Sequence, residues 1–249
     1  MHEREGVETE LRNLVPTVGV ALIVAPIGLA VAVLFGWMAG QLRTGRRVAV
    51  PYTRKLFHIG VFSVAAGVQL TWGTPAVVVY GGVVTLFVLF AVVRGEGHAI
   101  YEALARPTDA PHRTLFILVP LATTALGGLA TNLLFDGRAV TVGYLVAGWG
   151  DAMGEPVGTR WGRHPYRVPS LFGVPAKRSL EGSIAVLVAG TLAAGMALSA
   201  AGLGFTTAWG AALASGLAGA IVESISNHGL DNFTVQLAAA AAAALLLPG

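Results

Sequence analysis

Eight apolar runs, each close to the length of a bilayer crossing, follow one another along the chain with only short polar intervals between them. They fall at residues 15–37, 56–72, 76–93, 115–135, 140–153, 184–203, 206–222 and 233–247, the fifth being the shortest. About twenty apolar residues in a helix cross the hydrocarbon core. Backbone polar groups in hydrocarbon must bond within their own segment, so runs of this kind fold as helices. Charged residues make up only 12% of the chain and hydrophobic residues 55%, where a soluble domain carries roughly 25% charge. The expectation is an all-α, polytopic integral membrane bundle of about eight transmembrane helices. No polar interval is long enough for a soluble domain. Residues 1–249 are therefore read as a single transmembrane domain, with a short polar segment at 1–13 and charged motif regions at 148–183 and 223–235. The first apolar run follows an acidic stretch, Glu3 to Glu10, rather than a basic one, and reads as a retained helix and not a signal peptide. There is no cysteine, which removes disulfides and thiolate metal sites. A net charge of +3 gives no reason to expect a nucleic-acid partner.

The placement of the basic residues orients the bundle. Arg43, Arg46, Arg47, Arg54 and Lys55 lie between the first two runs, and Arg94, Arg106 and Arg113 between the third and fourth. Arg160, Arg163, Arg167, Lys177 and Arg178 lie between the fifth and sixth. With eight crossings all of these share one side, leaving only Arg4, Arg12 and Arg138 of the sixteen on the other. The positive-inside rule then places both termini outside a cell membrane and the basic intervals in the cytoplasm. The acids Asp151, Glu155, Glu181, Glu223 and Asp231 fall on the same cytoplasmic side.

Charge at the ends of such segments marks candidate chemistry. The fifth run ends Gly148-Trp149-Gly150-Asp151-Ala152-Met153-Gly154-Glu155-Pro156. On a helix Asp151 and Glu155 share a face, with Gly150, Gly154 and Gly158 beside them. Two carboxylates so spaced can share a hard cation such as Mg2+ together with phosphate oxygens; the plainer reading is a packing seam of small residues. The adjoining basic loop suits a polyphosphate, since Arg grips phosphate bidentately and Lys acts as a point charge. For Arg160, Arg163 and Arg167, topology or anionic head groups explain the charge equally well. Ser179-Leu180-Glu181-Gly182-Ser183 opens the sixth run, either as an anion-binding helix start or as an ordinary cap. Glu223 follows Gly216 and Gly219 by seven and four residues, which aims it along a small-residue seam into the bundle. Asp231-Asn232 opens the last run, Asp231 being a ligand or an N-cap. Arg54, Lys55 and His58 open the second, with Arg54 and His58 on one face. There is no P-loop, dinucleotide fingerprint, zinc-protease motif or serine elbow.

In order along residues 54–235, these motifs are Arg54-Lys55-x-x-His58, Gly150-Asp151-x-x-Gly154-x-x-x-Gly158, Lys177-Arg178-Ser179-x-Glu181-Gly182-Ser183, and Glu223-Ser224 with Leu230-Asp231-Asn232-Phe233-Thr234-Val235. The set resembles the polyprenol kinase family, which includes dolichol, phytol and farnesol kinases and the CTP-dependent diacylglycerol kinase. The resemblance implies transfer of the γ-phosphate of a nucleoside triphosphate, typically CTP, to the hydroxyl of a membrane lipid alcohol, with Mg2+ or Mn2+. It implies catalytic roles for Asp151, Glu223 and Asp231, and a metal held by Asp151 with Glu155 or Glu223. Lys177, Arg178, Ser179, Glu181, Gly182, Arg54, Lys55, His58, Gly150, Gly154 and Asn232 would then form the nucleotide and phosphate site. Two other classes compete: a phosphatidate-type cytidylyltransferase, which would attack the α-phosphate of CTP, and a transporter or lipid-binding membrane protein using the same acids as an ion relay. The long cytidylyltransferase signature is absent, and no internal repeat of the transporter kind is present. No feature of the sequence bears on oligomeric state.

Overall fold

The computed structural model describes residues 15–247; the polar segment 1–13, with Arg4 and Arg12, lies outside the described residues. Helix α1 (Val18–Thr44) is capped by Thr17, whose Oγ1 accepts from the Val20 N–H at 3.3 Å. Its buried positions Gly28, Ala32, Gly36 and Gly40 recur every fourth residue, giving a flat stripe on which larger side chains can lie. Tyr80 packs on Gly28 and Phe87 on Gly36.

Both side chains belong to α2 (Val50–Arg94), 45 residues long. A straight helix of that length would measure about 68 Å, twice a hydrocarbon core. It breaks at Gly73 (φ 72°, ψ −166°), a conformation that glycine adopts without steric cost, and Pro75 comes two residues later. The halves fold back on each other, and Tyr80 Oη donates to the Val61 carbonyl at 2.9 Å. The second and third apolar runs are therefore one interrupted helix that reverses at Gly73.

A short helix, α3 (Ala99–Leu104), and a 3-10 turn at Pro107–Asp109 lead to α4 (Leu115–Leu134). Helix α5 (Gly137–Leu145) is capped by Asp136, which accepts from the Arg138 and Ala139 N–H groups. It runs through a π-helical turn (Val146–Asp151) into α6 (Ala152–Trp161). A π turn adds a residue to one turn and re-aims the helix beyond it, a device common at functional sites. This segment is the hub of the bundle. It packs on α2 and on the three last helices, α7 (Leu180–Ala200), α8 (Phe205–Ile225) and α9 (Asp231–Ala244). Glycines bring its neighbours close: a Cβ on Gly150 would meet the Val186 carbonyl, and Gly190 and Gly219 lie against Val146.

Two expectations are modified. Among the described residues five helices (α1, α2, α4, α7 and α8) are long and apolar enough to cross a membrane. The runs at 140–153 and 233–247 form the α5–α6 segment and the 14-residue α9 instead. Nor is the chain wholly helical, because β1 (Pro165–Val168) pairs antiparallel with β2 (Ala176–Ser179), Tyr166 opposite Arg178. The hairpin turn holds Phe172 (φ 56°) and Gly173 (φ 70°) in the left-handed region. For Phe172 that conformation costs about 1 kcal/mol or more; its ring lies edge-on to Phe116 at 5.8 Å. The His228 N–H donates to the Pro169 carbonyl at 2.8 Å, so the hairpin is tied to the α8–α9 turn.

Candidate functional site

One end of the bundle holds a cavity of about 420 Å³, enclosed by the start of α2, the α3–α4 loop, α6, the hairpin and the α8–α9 turn. Its lining carries five bases (Arg54, Lys55, Arg106, Lys177, Arg178) and five acids (Asp109, Asp151, Glu155, Glu223, Asp231). Buried charges of this density persist only if they are paired. They form two linked clusters.

The first centres on Lys55, which is 6% exposed. Its Nζ donates to Asp151 Oδ2 at 2.7 Å and stands 3.9 Å from Glu155 Oε2. Helical spacing puts both carboxylates on the inner face of α6 and the π turn, where a single cation serves them both. Arg106 Nε approaches Glu155 Oε1 at 3.3 Å and Asp109 Oδ2 at 3.8 Å. Arg106 Nη1 meets His228 Nε2 at 3.2 Å. Burial, and after it the charge of Arg106, push the His228 pKa down to about 2. The ring is thus a neutral acceptor for the guanidinium, and it stacks on Phe116 at 5.2 Å. Burial also raises the Asp109 carboxyl above its ordinary value, against the pull of Arg106.

The second cluster centres on Arg178 of β2. Its Nε lies 2.8 Å from Glu223 Oε1 and its Nη2 donates to Asp231 Oδ2 at 2.9 Å. Strand pairing turns Arg178 inward from the basic interval, while the neighbouring Lys177 is more exposed. Asp231 does not cap α9: its Oδ1 accepts from the Asn232 N–H and its other oxygen holds Arg178. Asn232 Nδ2 donates to Thr124 Oγ1 at 2.8 Å and so joins α9 to α4. Arg54 and Arg178 each keep a buried Nη1 with no hydrogen-bond partner among the described residues. An unpaired buried donor costs about 1–3 kcal/mol, and these two line a cavity wide enough for an acceptor to enter.

Most of the residues singled out in the sequence meet here. Arg54, Lys55, Asp151, Gly154 and Glu155 line the cavity from α2, the π turn and α6; Lys177, Arg178, Ser179 and Gly182 line it from the hairpin and α7; Glu223, Asp231 and Asn232 complete it. Ser179 also caps α7, its Oγ accepting from the Gly182 N–H at 3.1 Å. Three do not line it. His58 stands behind Asp151, its Nε2 3.6 Å from Oδ2 and 3.1 Å from the Ala147 carbonyl. Gly150 serves helix packing. Glu181 turns outward to His164, 2.7 Å away. Arg106, Asp109 and His228 belong to the site and were not singled out. Arg106 resembled any other loop base, and its spacing to Asp109 (i, i+3) was the one local signal.

Among the described residues no group of three or more His, Cys, Asp or Glu side chains is gathered to hold a metal. Glu223 in particular sits on Arg178, apart from the Asp151–Glu155 pair. The pair itself fits a hard cation, because both carboxylates already converge on one positive charge, the Lys55 ammonium. Mg2+ needs only one or two protein carboxylates when phosphate oxygens and water complete its shell.

Over 189 residues the chain is 32% identical to the phytol kinase of Synechocystis sp., the match covering 76% of each chain. No family model matches, and no solved structure matches.

Proposed function

From the premise that the chain belongs to the phytol kinase family of polyprenol kinases, we propose that it transfers the γ-phosphoryl group of a nucleoside triphosphate, CTP, to the hydroxyl of an isoprenoid alcohol. The observation that carries this reading is the pair of buried Nη1 groups of Arg54 and Arg178, without a partner among the described residues, in a cavity lined by five bases. Guanidinium forks suit phosphate oxygens, and phosphoryl transfer asks a protein chiefly for positioning and charge neutralisation.

In this reading Arg54, Lys177 and Arg178 grip the triphosphate. Asp151 and Glu155 would hold Mg2+ or Mn2+, which supplies neutralisation of charge on the transferring group. Lys55, which those carboxylates hold here, would supply a positive charge to the phosphates. Glu223 takes the proton of the alcohol, since its contact with Arg178 engages Oε1, whereas both oxygens of Asp231 are in use. The alcohol oxygen bonds to the γ-phosphorus as the bond from that phosphorus to its bridging oxygen breaks. The products are the lipid monophosphate, the nucleoside diphosphate and a proton on Glu223. Eight crossings, counting the halves of α2, the α5–α6 segment and α9, would put the cavity on the cytoplasmic face, where nucleotides are found, and both termini outside.

The test is transfer from CTP labelled at the α- or γ-phosphate to a panel of isoprenoid alcohols, with Mg2+, by the purified protein in detergent. Label from the γ position alone is expected in the lipid. Transfer of α-label would make the protein a cytidylyltransferase, and no transfer from CTP, ATP or UTP would overturn the kinase reading.

A further inference from the structure

Beside the charged cavity lies a second, apolar one of about 660 Å³, a groove between α7 and α8 roofed by β1. Ile184 and Leu187 of α7 face Ala220 and Ile221 of α8 along its walls. The helices approach closely enough for such a groove to have a floor because Gly216 sits against the Leu187 carbonyl and Thr191. Exposed leucines and isoleucines are ordinary on a membrane helix. The informative feature is continuity: Val168 and Ser183 line both cavities. At that shared wall stands a polar pair, Tyr166 Oη and Ser183 Oγ, 2.7 Å apart. The hydroxyl of Ser224, also on the groove, is already bonded to the Ile221 carbonyl at 2.7 Å. The Tyr166–Ser183 pair is thus the hydroxyl-bearing contact between an apolar groove and a site built for phosphate.

We propose that this groove holds the hydrocarbon chain of the alcohol substrate, with Tyr166 and Ser183 receiving its hydroxyl group and directing it into the charged cavity. The proposal rests on the kinase reading for the identity of its occupant. An amphiphile with one polar end needs an apolar channel that opens on the reacting centre through a hydrogen-bonding neck. The α7–α8 groove has that form. It opens toward the surrounding lipid, so a chain can enter sideways while its tail stays in hydrocarbon. Hydroxyls of Tyr and Ser both donate and accept, so the pair can exchange its mutual bond for bonds to an alcohol at little cost. Ala220 is the smallest side chain of the lining, so a larger residue there would take space from the chain.

The first experiment needs no turnover. A diterpenoid alcohol carrying a diazirine near the tail end is photolysed with the wild-type protein in phosphatidylcholine vesicles without nucleotide, and labelled peptides are mapped. Labelling of α7 and α8 around Ile184, Leu187 and Ile221, blocked by excess unlabelled alcohol, is the expected result. Labelling spread over every lipid-facing helix and indifferent to competitor would overturn the groove, its occupant then being bulk lipid. The second experiment is kinetic. In Ala220→Trp the KM for the diterpenoid alcohol should rise roughly tenfold or more, with the nucleotide KM and the turnover of a single-isoprene alcohol within about twofold of wild type. Ile184→Trp, at an exposed position that tolerates bulk, should show the same selective loss if Ala220→Trp does not fold. Unchanged KM for the long alcohol in both purified variants would refute the proposal. Failure of the wild-type protein to phosphorylate any alcohol would refute the kinase reading instead, and the photolabelling map still decides the groove.

Discussion

Lys55 shows how one side chain can hold a site together while unliganded. It is buried between two carboxylates, and removing one partner of such a pair costs about 3–5 kcal/mol, because a charge is left unpaired in a low dielectric. Asp151→Asn should therefore lower stability as well as activity, the latter by roughly a hundredfold or more if Asp151 binds the metal. Stability and function are separated by the double variant Lys55→Met with Asp151→Leu. It should recover most of the lost thermal stability, as apolar replacement of a buried pair is often neutral or better, yet remain inactive. Near-normal turnover in Asp151→Asn would make that carboxylate purely structural. His228 gives a pH-dependent counterpart. Its folded pKa, about 2, lies below its ordinary 6.5, so the unfolded chain binds a proton that the native chain does not. The resulting stabilisation is complete above pH ~6.5 and is lost as pH falls toward the folded value. Without nucleotide, melting temperature should drop between pH 7.5 and 5 more steeply for wild type than for His228→Gln; equal slopes would show that His228 is not the group responsible.

At the scale of elements, α6 and α7 cross with almost no space between them. A Cβ on Gly182 would stand 2.8 Å from the Gly154 carbonyl, a backbone atom that cannot step aside. Gly182→Ala should destabilise by about 1–3 kcal/mol through overpacking. A Cβ on Gly210 of α8 meets nothing within 4 Å, and Gly210→Ala should gain up to about 1 kcal/mol from helix propensity. Thermal unfolding in detergent compares the two; equal effects would show that the crossing has room for a side chain. The elements also separate what could be read from the chain from what could not. The break at Gly73 was legible, because polar and small residues divide two apolar runs that no single crossing could contain. The α5–α6 segment read as a weak span because protein surrounds it, and its sequence is set by neighbouring helices rather than by lipid. The hairpin left no signature: its strands are four residues each, within an interval whose Arg and Pro content resembles any membrane-side loop. For that reason Arg178 was visible as a candidate, but its pairing with Glu223 and Asp231 was not. The bond between Arg106 and His228 spans 122 residues and leaves no local pattern at all.

For the whole molecule the proposed topology makes one demand, that every charged motif lie on the same face. The chain has no cysteine, so single cysteines can report it directly. Replacements at Arg46 and Arg163 should react with an impermeant thiol reagent only from the cytoplasmic side, and one at Asp136 only from outside. Labelling of Arg46 and Arg163 from opposite faces would place parts of the site across the bilayer from each other, and a single-site enzyme could not then exist. The five bases and five acids of the cavity lining also bear on how a nucleotide would arrive in the proposed reaction. With His228 neutral, the formal charges of these ten side chains cancel. Long-range attraction of a polyanion would then come from outside the lining, from the bases that the proposed topology gathers on the same face, among them Arg46, Arg47, Arg160, Arg163 and Arg167. As its Mg2+ complex a nucleoside triphosphate would still carry about two negative charges, so its association rate should fall as ionic strength rises.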